Sequence, residues 1–335
     1  MHIAFLNPQG NFDPRDSYWT EHPDFGGQLV YVKEVALAMA AQGHRVDILT
    51  RRIEDPAWPE FAAPLDGYPG HQGVRIVRIP CGPPQFLPKE ALWPHLGTDW
   101  RAGLRRFYRA EGALPDAFTA HYADGGLAGA LLAAETGRPF TFTAHSLGAQ
   151  KMDKLHAVPD TLPKLQRRFH FTERLTAERI AMSRAGRIIV STAQEQREQY
   201  THRAYRGAVD PFGADAGRFA VIPPGVNRRI FSPRPGKADA AIAERLAVAL
   251  TRDLPPDRRG LPLVLCASRL DRKKNHLGLV RAFAHSAGLR AAANLAIVVR
   301  GPENPLQQRN QLSGEEAAIL RDIARLLDEY ALWPA

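Results

Sequence analysis

The sequence predicts an α/β protein built from two doubly wound parallel-sheet domains, the second incomplete. Three observations carry that reading. Apolar strand-like runs alternate with stretches of helical periodicity, the pattern of βα units that assemble a parallel sheet. The chain has 335 residues, more than one typical domain holds. A stretch rich in proline and glycine up to Gly236 reads as a linker, dividing the chain into residues 1–225 and 226–335.

Taken in order, residues 2–6 form an apolar strand. A long loop then reaches Phe25-Gly26-Gly27-Gln28-Leu29-Val30-Tyr31, where a glycine pair opens a helix whose Val32, Val35, Ala36, Met39 and Ala40 recur three and four apart. Glycines there allow positive φ and close backbone approach, and the N–H groups of the first turn face any anion that lies before them. Residues 46–50 and 74–80 are strands, the second with one wetter face. Phe86-Leu87-Pro88-Lys89-Glu90 leads into a helix running to about Glu111. Residues 117–122 form a strand that Asp124-Gly125-Gly126 closes before a helix on Leu127, Leu131 and Leu132. The strand at 139–145 runs into Ser146-Leu147-Gly148-Ala149-Gln150-Lys151. One long helix spans about 162–185, followed by a strand at 187–192, a polar helix at 193–205 and a strand at 219–227. After the linker come a helix (239–252), a strand (262–268), a helix (277–287), a strand (295–300) and a helix (314–330). Two strand–helix units are too few to bury these helices, so the chain reads as a fragment.

With 44% hydrophobic and 24% charged residues, this is an ordinary globular composition. No apolar run reaches the roughly 18 residues of a membrane span, and no leader pattern precedes the first strand, so no membrane partner and a cytoplasmic location are expected. Cys81 and Cys266 lie on apolar segments without metal-ligand spacing and read as buried small hydrophobes of a reducing compartment. The net charge of +9 favours anionic ligands. The arginines are scattered, and no zinc-finger spacing or RNA-binding signature accompanies them, which sets nucleic acid aside in favour of small phosphorylated substrates.

In a doubly wound sheet, ligands sit at the carboxyl ends of the strands, and the Gly-Gly, His-Tyr and His-Ser-Leu-Gly elements all fall at such ends. No Ser-His-Asp order, His-Glu-x-x-His or P-loop is present, and no carboxylate cluster calls for Mg²⁺, so no metal or cofactor is expected. The first turn lacks Gly-x-Gly-x-x-Gly and its acidic partner, which argues against a dinucleotide-dependent oxidoreductase.

Seven stretches in order and spacing carry a resemblance: residues 5–13, Gly26-Gly27-Gln28, Phe86-Leu87-Pro88-Lys89-Glu90, His121-Tyr122-Ala123-Asp124-Gly125-Gly126, His145 to Lys151, Ile222-Pro223-Pro224-Gly225-Val226-Asn227, and Ser268-Arg269-Leu270-Asp271-Arg272-Lys273-Lys274-Asn275. Together they resemble the retaining, sugar-nucleotide-dependent glycosyltransferases of the glycosyltransferase-B fold, in the sucrose-phosphate synthase group. The resemblance implies two Rossmann-like domains and glucosyl transfer from UDP-glucose, a co-substrate, to fructose 6-phosphate. It implies that His145 contacts the transferred sugar, that Arg269 and Lys274 grip the diphosphate, and that Gly27 lies on the donor side. Gly26, Gln28, Lys89, Tyr122, Ser146, Lys151 and Arg174 would then line the acceptor pocket. Cations aimed at the departing phosphate are what this chemistry needs, Arg as a fixed fork and Lys as a point charge.

Two departures qualify those expectations. Glu173 stands beside Arg174 where many relatives carry two adjacent arginines, and a carboxylate there would weaken phosphate binding or orient Arg174. The acidic donor motif of the family does not occur before Ala335, and Glu303 does not stand in for it, so the chain alone is expected to be poorly active or inactive. Mannosylfructose-phosphate synthase, using GDP-mannose, is a close rival, and sucrose synthase a weaker one because Lys151 and Arg174 would meet no anion. A non-catalytic sugar-phosphate-binding domain is the rival from another class.

Overall fold

The computed structural model describes residues 1–19, 25–236, 239–299, 301–302 and 304–332. The chain divides into two compact units, Met1–Asn227 and Arg228–Ala335. In the first, β1 (His2–Leu6), β2 (Arg45–Arg51), β3 (Leu65–Gly67), β4 (Val74–Ile79), β5 (Ala117–His121), β6 (Phe140–Thr143), β7 (Arg187–Val190) and β8 (Phe219–Val221) form one sheet. Its order is β3-β4-β2-β1-β5-β6-β7-β8. Every pairing is parallel except the short edge strand β3 against β4, which sequence reading missed. The order turns at β1, with β2 and β4 on one side and β5 to β8 on the other, and at such a switch point a crevice opens at the carboxyl edge.

Alternation along the strands builds a core on each face. Ala4 and Leu6 join Phe118, Ala120 and Phe142 on one side, while Phe5 joins Val46, Ile48 and Ile76 on the other. The wetter face expected of β4 is absent. Arg78 is fully buried, its guanidinium donating to the carbonyls of Phe12 (2.7 Å) and Ala63 (2.8 Å), and Arg75 forks onto Asp47 (2.8 and 3.0 Å). Burial alone would raise Asp47, but bonds from His2 and Arg75 hold it down to about 2.

The helices of this unit are α1 (Gly27–Ala41), α2 (Trp93–His95), α3 (Arg101–Glu111), α4 (Tyr122–Thr136), α5 (Gly148–Lys154), α6 (Leu162–Phe169), α7 (Phe171–Arg184) and α8 (Ala193–Gln199). Several differ from expectation. The helix sought from Lys89 to Glu111 is broken into a 3-10 turn, α2, a π turn at Leu96–Trp100 and α3. The long helix at 162–185 breaks at His170, whose φ of 48° ends α6, while the Gln166 Oε1 accepts from Thr172 N (2.9 Å) and caps α7. The polar helix stops at Gln199, and the strand expected at 219–227 at Val221.

Asp124-Gly125-Gly126 is not a turn. The three residues lie buried in the first turns of α4, where a Cβ on Gly125 would come within 2.4 Å of the Leu6 carbonyl and one on Gly126 within 2.7 Å of the Ala181 Cβ. These glycines are there for close packing of α4 on β1 and α7. Gly26 and Gly27 behave differently again. Gly26 is extended (φ −162°) and Gly27 opens α1, so neither uses positive φ, and a Cβ on either would meet nothing within 4 Å.

The second unit holds α9 (Asp239–Asp253), β9 (Leu263–Ala267), α10 (His276–His285), α11 (Ala287–Ala292), β10 (Asn294–Val298) and α12 (Gly314–Glu329). β9 and β10 pair in parallel, and Val280, Phe283, Ile319, Leu320 and Ile323 form the core against them. The expected helix at 277–287 ends at His285 because Ser286 leaves the helix and caps α11. Cys266 is half-buried in β9, while Cys81 lies buried just past β4, its thiol pushed up to about 12 by burial. Among the described residues no helix is long and apolar enough to cross a membrane, and no cluster of three His, Cys, Asp or Glu side chains has metal-holding geometry.

Candidate active site

The centre of the site is a pair of histidines. His121 ends β5 and His145 follows β6, so parallel pairing of these strands brings the two rings side by side. His121 Nδ1 and His145 Nε2 are 2.8 Å apart, with ring centroids at 5.1 Å. His121 is buried and stacks on Phe5 (5.5 Å, 9°), and Tyr31 of α1 sets its edge against His145 at 5.1 Å. Tyr122 closes over His145 at 5.3 Å. Both His145 (φ 56°) and Tyr122 (φ 60°) are held in the left-handed region, which costs an ordinary residue about 1–3 kcal/mol and persists only where the surroundings enforce it. Burial drives His145 down to about 4, and burial together with His145 holds His121 well below its ordinary value. Both imidazoles are neutral near neutral pH.

Beside them is a cationic corner. Arg174 of α7 donates through Nη2 to the Ser146 carbonyl (2.8 Å) and Oγ (3.1 Å), and through Nε to Glu178 (2.9 Å). Glu178 is fully buried and also accepts from Gly148 N (2.9 and 3.0 Å) and the Tyr205 hydroxyl (2.5 Å). Space at position 148 is tight, since a Cβ would lie 3.1 Å from both Arg174 Cδ and Glu178 Oε2 and would press on that ion pair. Tyr122 is pushed up by burial, feels the charges of Lys89 and Arg174, and bonds to Ser146. Lys151 lies 3.9 Å from Glu90 and 3.7 Å above the Phe169 ring.

Glu173 does not meet Arg174. Its carboxylate turns to the Gln166 amide (2.8 Å) and the His170 ring (3.6 Å), and the carboxylate that orients Arg174 is Glu178, one turn further on. The spacing from Arg174 to Glu178 is the i,i+4 spacing of a helical ion pair, a signal present in the sequence and overlooked beside the nearer acid.

The third wall is the carboxyl end of β1. Gln28 donates to Asn7 Oδ1, and Gln9 donates to Asp124 Oδ1 (3.3 Å), while Asn7 Nδ2 and Asp124 Oδ2 are buried without partners among the described residues. Burial raises Asp124 to about 7. Gly26 and Gly27 flank this wall with open space.

Thus the first unit gathers His145, Ser146, Tyr122 and Arg174, with Lys89 electrostatically coupled to Tyr122. Gln28 belongs to the adjacent wall. In the second unit, Arg269 and Lys274 share the loop that leaves β9. Asp271 caps its 3-10 turn by accepting from Lys273 N (2.9 Å), and Asn275 caps α10. Arg269 is half-buried and Lys274 exposed, and neither forms an ion pair among the described residues. Glu303 lies outside the described residues, as do Pro23 and Asp24 before the glycine pair.

The first unit thus carries two buried histidines beside a pinned arginine at the carboxyl edge of a doubly wound sheet, and the second unit carries a basic loop after its first strand. Residues 26–225 match the glycosyl transferase 4-like domain, and the chain belongs to that family. It is 45% identical over 300 residues to the probable sucrose-phosphate synthase of Thermosipho melanesiensis, covering 90% of this chain and 64% of that protein. It is 31% identical over 384 residues to the probable sucrose-phosphate synthase of Solanum tuberosum, covering 99% of this chain and 36% of that one. Among solved structures, the sucrose-phosphate synthase of Thermosynechococcus elongatus superposes with a TM-score of 0.64 at 26% identity, over 99% of this chain and 68% of that one. The chain therefore spans less than two thirds of the length of these two curated relatives.

Proposed function

We propose that this chain binds fructose 6-phosphate at the carboxyl edge of its first sheet and supplies the acceptor side of a retaining sucrose-phosphate synthase that takes glucose from UDP-glucose. The observation that carries the reading is Arg174, fixed along one edge by Glu178 and Ser146 within a corner that also holds Tyr122 and lies near Lys89. A guanidinium held this way meets a phosphate without first losing rotamer freedom. The similarity to sucrose-phosphate synthases supports the same acceptor.

In the proposed reaction the bond from glucose C1 to the diphosphate breaks as the acceptor hydroxyl bonds to the same face of C1. The hydroxyl proton passes to the departing phosphate oxygen, and the new bond retains the configuration at C1. Arg269 and Lys274 receive the charge that develops on the diphosphate, while neutral His145 contacts the transferred glucose. The protein supplies position and field, with no covalent nucleophile.

Calorimetric titration of the chain with fructose 6-phosphate, fructose and glucose 6-phosphate tests the acceptor. Saturable binding of fructose 6-phosphate, with fructose at least about tenfold weaker, supports the reading. Equal binding of fructose and fructose 6-phosphate, or no binding by a folded chain, overturns it. Donor choice is tested by calorimetric titration with UDP-glucose against GDP-mannose, tighter binding of the second being the outcome for a mannosyl transferase.

A further inference from the structure

His145 has two ring nitrogens, and the chemistry it offers a ligand depends on which carries the proton. Its Nε2 faces His121, while its Nδ1 makes no hydrogen bond among the described residues. The proton arrangement can be followed inward. Thr141, paired with Thr119 across β5 and β6, donates its hydroxyl to Thr119 Oγ1 (2.9 Å). Thr119 Oγ1 lies 3.4 Å from His121 Nε2. With Thr141 donating to it, Thr119 directs its own hydroxyl proton to His121 Nε2, which leaves the His121 proton on Nδ1, pointing at His145. With Thr141 as donor of that pair, an Nε2–H on His121 would make Thr119 accept twice and strand its hydroxyl proton; the fully reversed chain, from His145 Nε2–H through His121 and Thr119 to Thr141, is the arrangement that overturns the proposal below.

We propose that His121 is a positioning residue that fixes His145 as a hydrogen-bond donor: His121 Nδ1–H donates to His145 Nε2, so that His145 presents Nδ1–H, and never a lone pair, to the ligand. The ligand group matched to it is an oxygen acceptor, a sugar hydroxyl or a phosphate oxygen of the sugar nucleotide. Stacking on Phe5 and the edge of Tyr31 hold the two rings in register, and burial keeps both neutral, so the donor role survives across the neutral range. A His145 fixed this way takes no proton from the acceptor hydroxyl, in keeping with a mechanism in which the leaving phosphate does so. The inference rests on the proposed placement of His145 against the transferred sugar.

The test is ring-nitrogen NMR of the intact chain labelled with ¹⁵N-histidine at neutral pH. A free imidazole side chain favours the proton on Nε2, so the expected His145 spectrum, with Nδ1 protonated in roughly tenfold excess, is distinctive. His145 found mainly with Nε2 protonated overturns the proposal. His121→Asp can only accept, and it is expected to transfer the proton to His145 Nε2. His121→Phe keeps the stack and removes the bond, and a His145 still fixed with Nδ1 protonated in that variant also overturns the role of His121. If neither variant folds, the unsubstituted spectrum decides. UDP-glucose binding by His145→Ala, read by calorimetry, separates this inference from the functional reading: the expected tautomer with undiminished UDP-glucose affinity removes the sugar contact and leaves the proton arrangement standing.

Discussion

The two units place their candidate residues in opposite ways. In the first, His121, Glu178, Asp124 and Asn7 are buried, and the side chains that would touch a ligand are fastened to them. In the second, Arg269 and Lys274 stand on a loop whose shape comes from the capping bonds of Asp271 and Asn275, and the cations are left without ion pairs among the described residues. The difference is one of where preorganisation resides. The first unit stores it in side-chain networks that are part of the core, so function and stability share the same bonds. The second stores it in backbone caps, so the candidate charges are separable from the fold.

The sharpest way to break this comparison is at Glu178. Glu178→Ala strands the Arg174 guanidinium, the Gly148 N–H and the Tyr205 hydroxyl in one buried place, and a loss of about 3–5 kcal/mol in unfolding free energy is expected by denaturant titration. A loss under about 1 kcal/mol would show that the network is ornamental to the fold. Arg174→Gln comes next. Fructose 6-phosphate binding should weaken by roughly 30-fold in calorimetry, in line with about 2 kcal/mol for a charge-assisted bond, while fructose binding stays as it was. Because Glu178 loses its cation, this variant should also be less stable, and a double-mutant cycle with Glu178→Gln should show strong coupling.

Much of this was legible in the sequence, and the failures have a common cause. The alternation of strands and helices, the carboxyl-edge position of His145 and the basic loop after β9 follow from local pattern and motif spacing. What was misread depends on contacts made at a distance. Gly125 and Gly126 look like turn glycines until Leu6, Phe142 and Ala181 are seen pressing on them. Arg78 looks like a solvated strand residue until the carbonyls of Phe12 and Ala63 close on its guanidinium. Glu173 looks like the partner of Arg174 by adjacency, yet neighbours in a helix diverge by about 100° and the residue four further on shares its face. His121 stood inside a recognised motif, but only the pairing of β5 with β6 makes it the partner of His145.

A smaller effect is expected from Asp124 and its sign is informative. Its folded value near 7 lies above the ordinary 3.8, so the folded state favours the neutral acid. Stability from this group is fully present below pH 3.8 and is lost as the pH rises through 7. Asp124→Asn should therefore match the parent near pH 4 and exceed it at pH 8, on the order of 2 kcal/mol. His145 works in the other direction, with its folded value near 4 below the ordinary 6.5. Its contribution is present above pH 6.5 and is lost as the pH falls toward 4. Thermal scans in which Asp124→Asn removes only the decline as the pH rises toward 7, and leaves the one as it falls toward 4, would locate both effects in the first unit.

The smallest stability change is expected in the second unit, and there the comparison is sharpened most. Lys274 is exposed and its turn is held by Asp271 and not by its own side chain. Lys274→Ala should therefore shift unfolding by no more than about 0.5 kcal/mol, the usual range for a surface site away from caps and core. Binding of UDP to the same variant should weaken about tenfold, because a cation without an ion pair among the described residues has its favourable interaction in reserve for the ligand. Arg269→Gln should likewise weaken UDP binding with little change in unfolding. If either variant unfolds as readily as Glu178→Ala, the charges of the second unit are as bound into its fold as those of the first. If both keep their stability and their UDP affinity together, the loop after β9 does not carry the diphosphate, and the separable charge of this unit serves another ligand.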